Sequence, residues 1–192
     1  MTRGFFGIGV EDISKEMNVG NLVRSAHAFG ASFFFTVAPA VDIRAMRASD
    51  TSGAFDHVPY YQYKSADELA LPKGCRLVGV ELVENSIELP SFRHPLRAAY
   101  VLGPEMGSLS KPMQERCEFI VKIPMKFCVN VGVAGALVMY DRMISLGRFA
   151  QRPVAAGGPA VPLPETIRGH RRFSRAKAKN AQKNSKTSED RG

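Results

Sequence analysis

The feature that most constrains this chain is an alternation of short apolar runs with segments of helical spacing. Runs at 4–10, 32–38, 58–63, 76–82, 98–102 and 119–123 have the length and the β-branched or aromatic content of strands. Between and after them, 19–29 reads as a helix ended by Gly30, 42–48 as a short helix, 65–71 as a helix capped by Ser65, 110–117 as a helix capped by Ser110, and 131–149 as a long closing helix. Repeated strand–helix units predict an α/β fold, a mostly parallel sheet flanked by helices.

The last two strands matter most. Each breaks into a loop rich in glycine, proline or asparagine: Gly-Pro-Glu-Met-Gly follows Leu102, and Pro124 follows Ile123. In open α/β sheets, ligands bind beyond the carboxyl ends of the strands. Inside the first loop Glu105 is the one ionisable side chain between Gly103 and Ser110, and Gly103 and Gly107 allow close backbone approach. Capping of the following helix explains Ser110, but it does not explain Gly-Pro-Glu-Met-Gly.

The first helix carries Leu22, Val23, Ala26 and Phe29 as its expected buried stripe, while Arg24 falls on the opposite side with Asn21 and Ala28. Asn18 stands at the helix start, where an amide caps the helix or points into a cleft. In the last helix, Gly132, Ala134, Gly135 and Ala136 crowd small residues into one turn, which predicts close approach of the 123 loop, a ligand or a partner subunit, with ordinary core packing as the alternative.

At 192 residues and 45% apolar content the chain can bury one α/β core. Its apolar runs fall short of the roughly 18 residues of a membrane span, and residues 1–12 lack a signal-peptide pattern, so the expectation is a soluble, cytoplasmic protein without a membrane partner. Cys75, Cys117 and Cys128 form no C-x-x-C pair and read as reduced core thiols. The four histidines show no metal spacing, and no hydrolase signature is legible, so no metal is expected. Gly7-Ile8-Gly9 lacks the third glycine and the helix of a dinucleotide fingerprint.

Charge is uneven along the chain. Residues 165–192 hold 9 of the 26 Lys+Arg and 3 of the 18 Asp+Glu, a net of +6 against +2 for the rest. The expected organisation is a folded domain over 1–150, a Pro/Gly/Ala linker over 151–164 and a basic, disordered tail over 165–192. Arg168, Arg171, Arg172, Arg175, Lys177 and Lys179 in that tail are candidate RNA-phosphate contacts, with a solubilising extension as the alternative.

Three segments together resemble one family. NVGNLVRSAHAFG at 18–30, LGPEMGSLS at 102–110, and Ile-Pro-Met at 123–125 with NVGVA at 130–134 are similar to motifs 1, 2 and 3 of the SpoU/TrmH family of RNA ribose 2′-O-methyltransferases, within the SPOUT superfamily. The resemblance covers roughly 4–148. It implies a deep trefoil knot at the carboxyl end of the domain, S-adenosyl-L-methionine as cofactor, a homodimer with the active site at the interface, and tRNA or rRNA as substrate. Carried over by position, Arg24, Asn18 and Asn130 fall at the catalytic centre, with Arg24 also facing RNA. Leu102, Gly103, Glu105, Gly107, Ile123, Met125, Cys128 and Asn130 fall on the cofactor loops. Between Met125 and Asn130 the chain is shorter than the family's usual motif 3, with Cys128 in the place of a serine, and Pro104 replaces a frequent asparagine. The alternative from another class is a noncatalytic RNA-binding or ribosome-assembly protein that keeps the fold.

Overall fold

Among the described residues, seven strands pair in one sheet, and every pairing is parallel, as buried apolar runs joined by helical crossovers require. This computed structural model describes residues 4–147, 149–150, 152–153 and 156–158. The elements run β1 (Phe5–Glu11), α1 (Glu16–Phe29), β2 (Phe33–Val37), α2 (Ile43–Ser49), β3 (Tyr60–Tyr63), β4 (Arg76–Val80), β5 (Ile87–Glu88), β6 (Arg97–Leu102), α3 (Lys111–Arg116), β7 (Phe119–Lys122) and α4 (Val131–Leu146). Across the sheet the order is β3-β2-β1-β6-β4-β7-β5.

Successive side chains on a strand face opposite sides, and both sides of this sheet are covered. On one, Phe34, Tyr100, Ile8 and Val10 pack with Leu22 and Val23 of α1 and Val138 and Met139 of α4. On the other, Phe33, Phe35, Ala99 and Val101 pack with Leu109 and Met113 of the α3 side. Each large side chain so buried contributes about 1.5–3 kcal/mol relative to exposure.

Several expectations shift. Helix α1 begins at Glu16, three residues earlier than its apolar stripe suggests, so Asn18 lies inside the first turn and caps nothing. Segment 65–71 forms turns rather than a helix. The Arg116 guanidinium donates to the Ala66 and Leu69 carbonyls and the Tyr63 hydroxyl donates to Ala70 O, so acceptors that a helix would use are taken, and Pro72 closes the segment. Strand β5 escaped the pattern because its two residues are both exposed.

The small residues of α4 meet α1. A Cβ on Gly135 would lie 2.2 Å from Leu22 Cδ1, and one on Gly132 would lie 3.1 Å from Asn21 Cβ. Cys75 and Cys117 are half-buried against the second core, where burial pushes their thiols up to about 11 and about 12. Cys128 is exposed, contrary to its reading as a core thiol, because it sits in the loop before α4 and outside both cores.

At the amino ends of the strands, α4 is fastened by Arg142. Its guanidinium donates to Pro95 O at 2.5 Å, Leu96 O at 2.8 Å and the Tyr100 hydroxyl at 3.2 Å, and lies over the Phe6 ring. His94 completes the network between Tyr100 at 2.6 Å and Asp141 at 2.8 Å. Burial pushes its pKa down in spite of Asp141, so the imidazole is neutral. Asp141 requires the Nε2–H tautomer, which leaves Nδ1 to accept from Tyr100.

Candidate active site

The sheet's opposite edge opens into a cleft. Strands β4, β6 and β7 end side by side at Val80, Leu102 and Lys122, and the loops that leave them enclose a cavity of about 370 Å³. Its apolar lining includes Val80, Leu102, Ile123, Met125, Val131 and Ala134; Asn18, Glu81, Glu105 and Asn130 supply polar groups. Gly103, Gly107 and Cys128 also line it. Gly107 has φ +133°, a conformation that side chains avoid, so this turn of the loop needs glycine.

Three distant segments are tied together by one chain of hydrogen bonds. Asn130 caps α4, its Oδ1 accepting from Gly132 N at 2.8 Å, while its Nδ2 donates to Asn18 Oδ1 at 2.7 Å. Asn18 Nδ2 in turn donates to Glu105 Oε1 at 2.7 Å. The Glu105 carboxylate also accepts from Lys15 N at 3.2 Å, Ser14 N at 3.3 Å and Ser14 Oγ at 3.1 Å. Burial alone raises the pKa of Glu105, but the Asn18 amide and the further donors outweigh it and hold the carboxyl below its ordinary value. With four donors on two oxygens, Glu105 works as a clamp between the loop after β6 and the start of α1.

Two carboxylates that the sequence did not single out hold the far end of that loop. Glu81 accepts from Leu109 N at 2.8 Å, and buried Glu11 accepts from Ser110 N at 2.8 Å and Ser110 Oγ at 2.7 Å. Ser110 Oγ still accepts from Met113 N, so it caps α3 as expected. The legible signal for Glu11 and Glu81 was a carboxylate placed directly at the end of a buried apolar run. Lys15, Pro104 and Val129 also line the cleft unforeseen.

Asn18, Leu102, Gly103, Glu105, Gly107, Ile123, Met125, Cys128 and Asn130 are thus brought to one cleft. Arg24 is not among the lining residues; it is exposed, six residues along α1 from Asn18 and about 9 Å further down the helix axis. Arg168, Arg171, Arg172, Arg175, Lys177 and Lys179, with the rest of the tail, lie outside the described residues. The amino terminus of the 16-residue α4 opens at Asn130 and Val131 in the cleft wall, where its dipole favours a ligand's negative end. An apolar floor, hydrogen-bonding loops and this dipole suit an amphipathic ligand of nucleoside size.

Fold and site together define an α/β protein with a ligand-sized cleft among the loops at the carboxyl ends of parallel strands. A family model described as the SpoU rRNA methylase family matches residues 6–140, and the chain belongs to that family. An Archaeoglobus fulgidus protein named as an uncharacterized tRNA/rRNA methyltransferase is 28% identical over 151 residues, covering 73% of this chain and 65% of the relative. A Staphylococcus aureus protein whose name places it in the TrmH family of tRNA/rRNA methyltransferases is 30% identical over 141 residues, 69% of this chain and 55% of its own length. The chain therefore spans between about half and two thirds of these relatives. In fold it is similar to the SpoU methyltransferase AviRb of Streptomyces viridochromogenes in complex with AdoMet, with TM-score 0.67, 23% identity, and coverage of 77% of this chain and 61% of that one. It is also similar to a TrmH/SpoU tRNA modifying enzyme of A. aeolicus, with TM-score 0.65, 20% identity and coverage of 73% and 74%. A third structure, described by the 2-OH methylation of C/U34 on tRNA, has TM-score 0.63 and 22% identity, covering 75% of this chain and 97% of its own.

Proposed function

We propose that the chain is an RNA methyltransferase that uses S-adenosyl-L-methionine to methylate a ribose 2′-hydroxyl of tRNA or rRNA in the cytoplasm. The observation that carries this reading is the cleft itself, in which all three motif segments converge and are locked by the Asn130–Asn18–Glu105 chain. The AdoMet complex of AviRb and the tRNA 2-OH methylation described for a second structural neighbour support the same chemistry.

When bound, the cofactor supplies an electrophilic methyl group for in-line displacement by the hydroxyl oxygen. The chain's residues bind, orient and exclude water. Ile123, Met125 and Leu102 offer apolar surface to the adenosine portion, and the backbone of the loops after β6 and β7 offers hydrogen bonds to it. Asn130, held by Asn18, keeps the α4 terminus open toward a carboxylate or phosphate. The Arg24 guanidinium is a donor with no acceptor; its planar fork holds an RNA phosphate and stabilises developing charge on the hydroxyl, while the proton leaves to phosphate or water.

Arg24 stands outside the cleft of its own chain, which fits an active site completed across a homodimer. An unpartnered stripe on α4 supports that assembly, since Val133, Leu137, Tyr140 and Met143 are exposed at helical spacing. The knot implied by the family pattern is supported by the strand order, in which β7 inserts between β4 and β5, two strands that precede it. The basic residues of 165–192 serve in this reading as a phosphate-binding arm.

Calorimetry with S-adenosyl-L-methionine tests the proposal: saturable binding is expected, weakened when Gly107 is replaced by Val. No heat at millimolar cofactor would favour the noncatalytic RNA-binding alternative.

A further inference from the structure

A second depression lies at the other end of the sheet, where β4, β6 and β7 begin. It has a volume of about 650 Å³, and Arg76, Arg93, Arg97, His94 and Phe119 are among the residues that line it. Arg76, Arg97 and Phe119 are the first residues of their strands, so three strand starts converge there. Among the described residues, no aspartate or glutamate lines it. Arg76 is paired with Glu118 and rests over the Phe119 ring at 6.0 Å. Among the described residues, Arg93 and Arg97 have no carboxylate partner, and both are exposed.

The wall that carries these two arginines is fixed from behind. Arg142 takes the Pro95 and Leu96 carbonyls, so the segment between Arg93 and Arg97 is pinned to α4. His94 is neutral and occupied by Tyr100 and Asp141, which leaves the two free guanidiniums to bind. Unpaired arginines on a held segment, beside an Arg76 guanidinium that lies over the Phe119 ring, match a nucleotide, with phosphate on the free forks and base stacked on the Arg76 plane.

We infer that this pocket is a second RNA-binding site, which takes a phosphate and its nucleotide from the RNA remote from the methylated ribose. The inference rests on the proposal that the chain acts on RNA. Strand β6 separates the two ends by six residues, about 20 Å at ~3.3 Å each, equal to roughly six nucleotides stacked at ~3.4 Å. A folded RNA therefore reaches both.

The test is a titration of the full chain with unfractionated tRNA between about 50 and 200 mM salt, with calorimetry of S-adenosyl-L-methionine in parallel. For R93A/R97A, loss of the one phosphate contact should reduce the salt slope by about 0.7 and weaken binding severalfold, with cofactor affinity unchanged. R93K/R97K, which keeps the charge, should retain most of the slope. A wild-type chain that binds tRNA beside an R93A/R97A chain of the same slope and affinity overturns the inference and leaves the methyltransferase reading standing. A wild-type chain that binds cofactor but no tRNA at low salt overturns the RNA reading and this inference together.

Discussion

Asn18 is the residue on which the site turns. Its amide has two jobs, accepting from Asn130 and donating to Glu105, and neither can be done by a methyl group. At about 0.5–1.5 kcal/mol per net hydrogen bond, Asn18→Ala should cost roughly 1–3 kcal/mol in urea unfolding and weaken cofactor binding. Parental affinity in that variant would show that the clamp does not shape the cleft. Glu105 gives the clamp a pH signature. Its carboxyl is held below the ordinary value of about 4.5, so the folded state binds its proton less readily than the unfolded one. The stabilisation is therefore complete above about 4.5 and lost as pH falls through the folded value. In Glu105→Gln, the fall in stability on acidification below that point should be shallower, measured by thermal melts across pH. Asn18 was visible in the sequence as a polar residue at a helix start, and the family resemblance named Glu105 and Asn130 beside it, but the hydrogen bonds that join them were not legible, because Glu105 and Asn130 lie 87 and 112 positions away. Sequence spacing carries no information about such closures, and the saturated carboxylate of Glu105 could be recognised only from its four donors.

At the scale of elements, the crossing of α4 over the sheet is secured at both ends. Near its start Gly132 and Gly135 let α1 approach, and near its end Arg142 fills a buried site with acceptors from Pro95, Leu96 and Tyr100. Arg142→Ala removes the guanidinium and strands these acceptors, each at about 1–3 kcal/mol if left unsatisfied, so a loss of roughly 3 kcal/mol or more is expected in denaturant unfolding. A loss under about 1 kcal/mol would mean that water replaces the side chain without penalty. The strands with continuous apolar runs were legible because burial on both faces leaves an unmistakable pattern, as in Phe33–Val37. Segment 65–71 was misread because its helical spacing competes with a tertiary donor, Arg116, that local pattern cannot reveal. Arg142 was overlooked for a related reason: an arginine on a surface helix reads as solvated until its carbonyl partners are known.

For the whole molecule, one chain forms the cleft and displays Arg24 outside it, and in the proposed reading the activity belongs to a dimer. Mixing Arg24→Ala with Gly107→Val, each inactive alone, should restore methyl transfer through hybrid dimers in which one cleft remains intact and receives an intact arginine. No recovery after subunit exchange would place Arg24 in its own chain's reaction. Removal of 165–192 should weaken RNA binding and flatten its salt dependence while sparing cofactor affinity. The most direct test of the central claim is incubation of the chain with S-adenosyl-L-methionine labelled in its methyl group and RNA from cells lacking this gene, followed by alkaline hydrolysis. A methylated 2′-oxygen cannot attack the neighbouring phosphate, so the expected result is label in alkali-resistant dinucleotides, abolished by Arg24→Ala. Label confined to mononucleotides, or no transfer by a chain that binds both RNA and cofactor, would contradict ribose 2′-O-methylation.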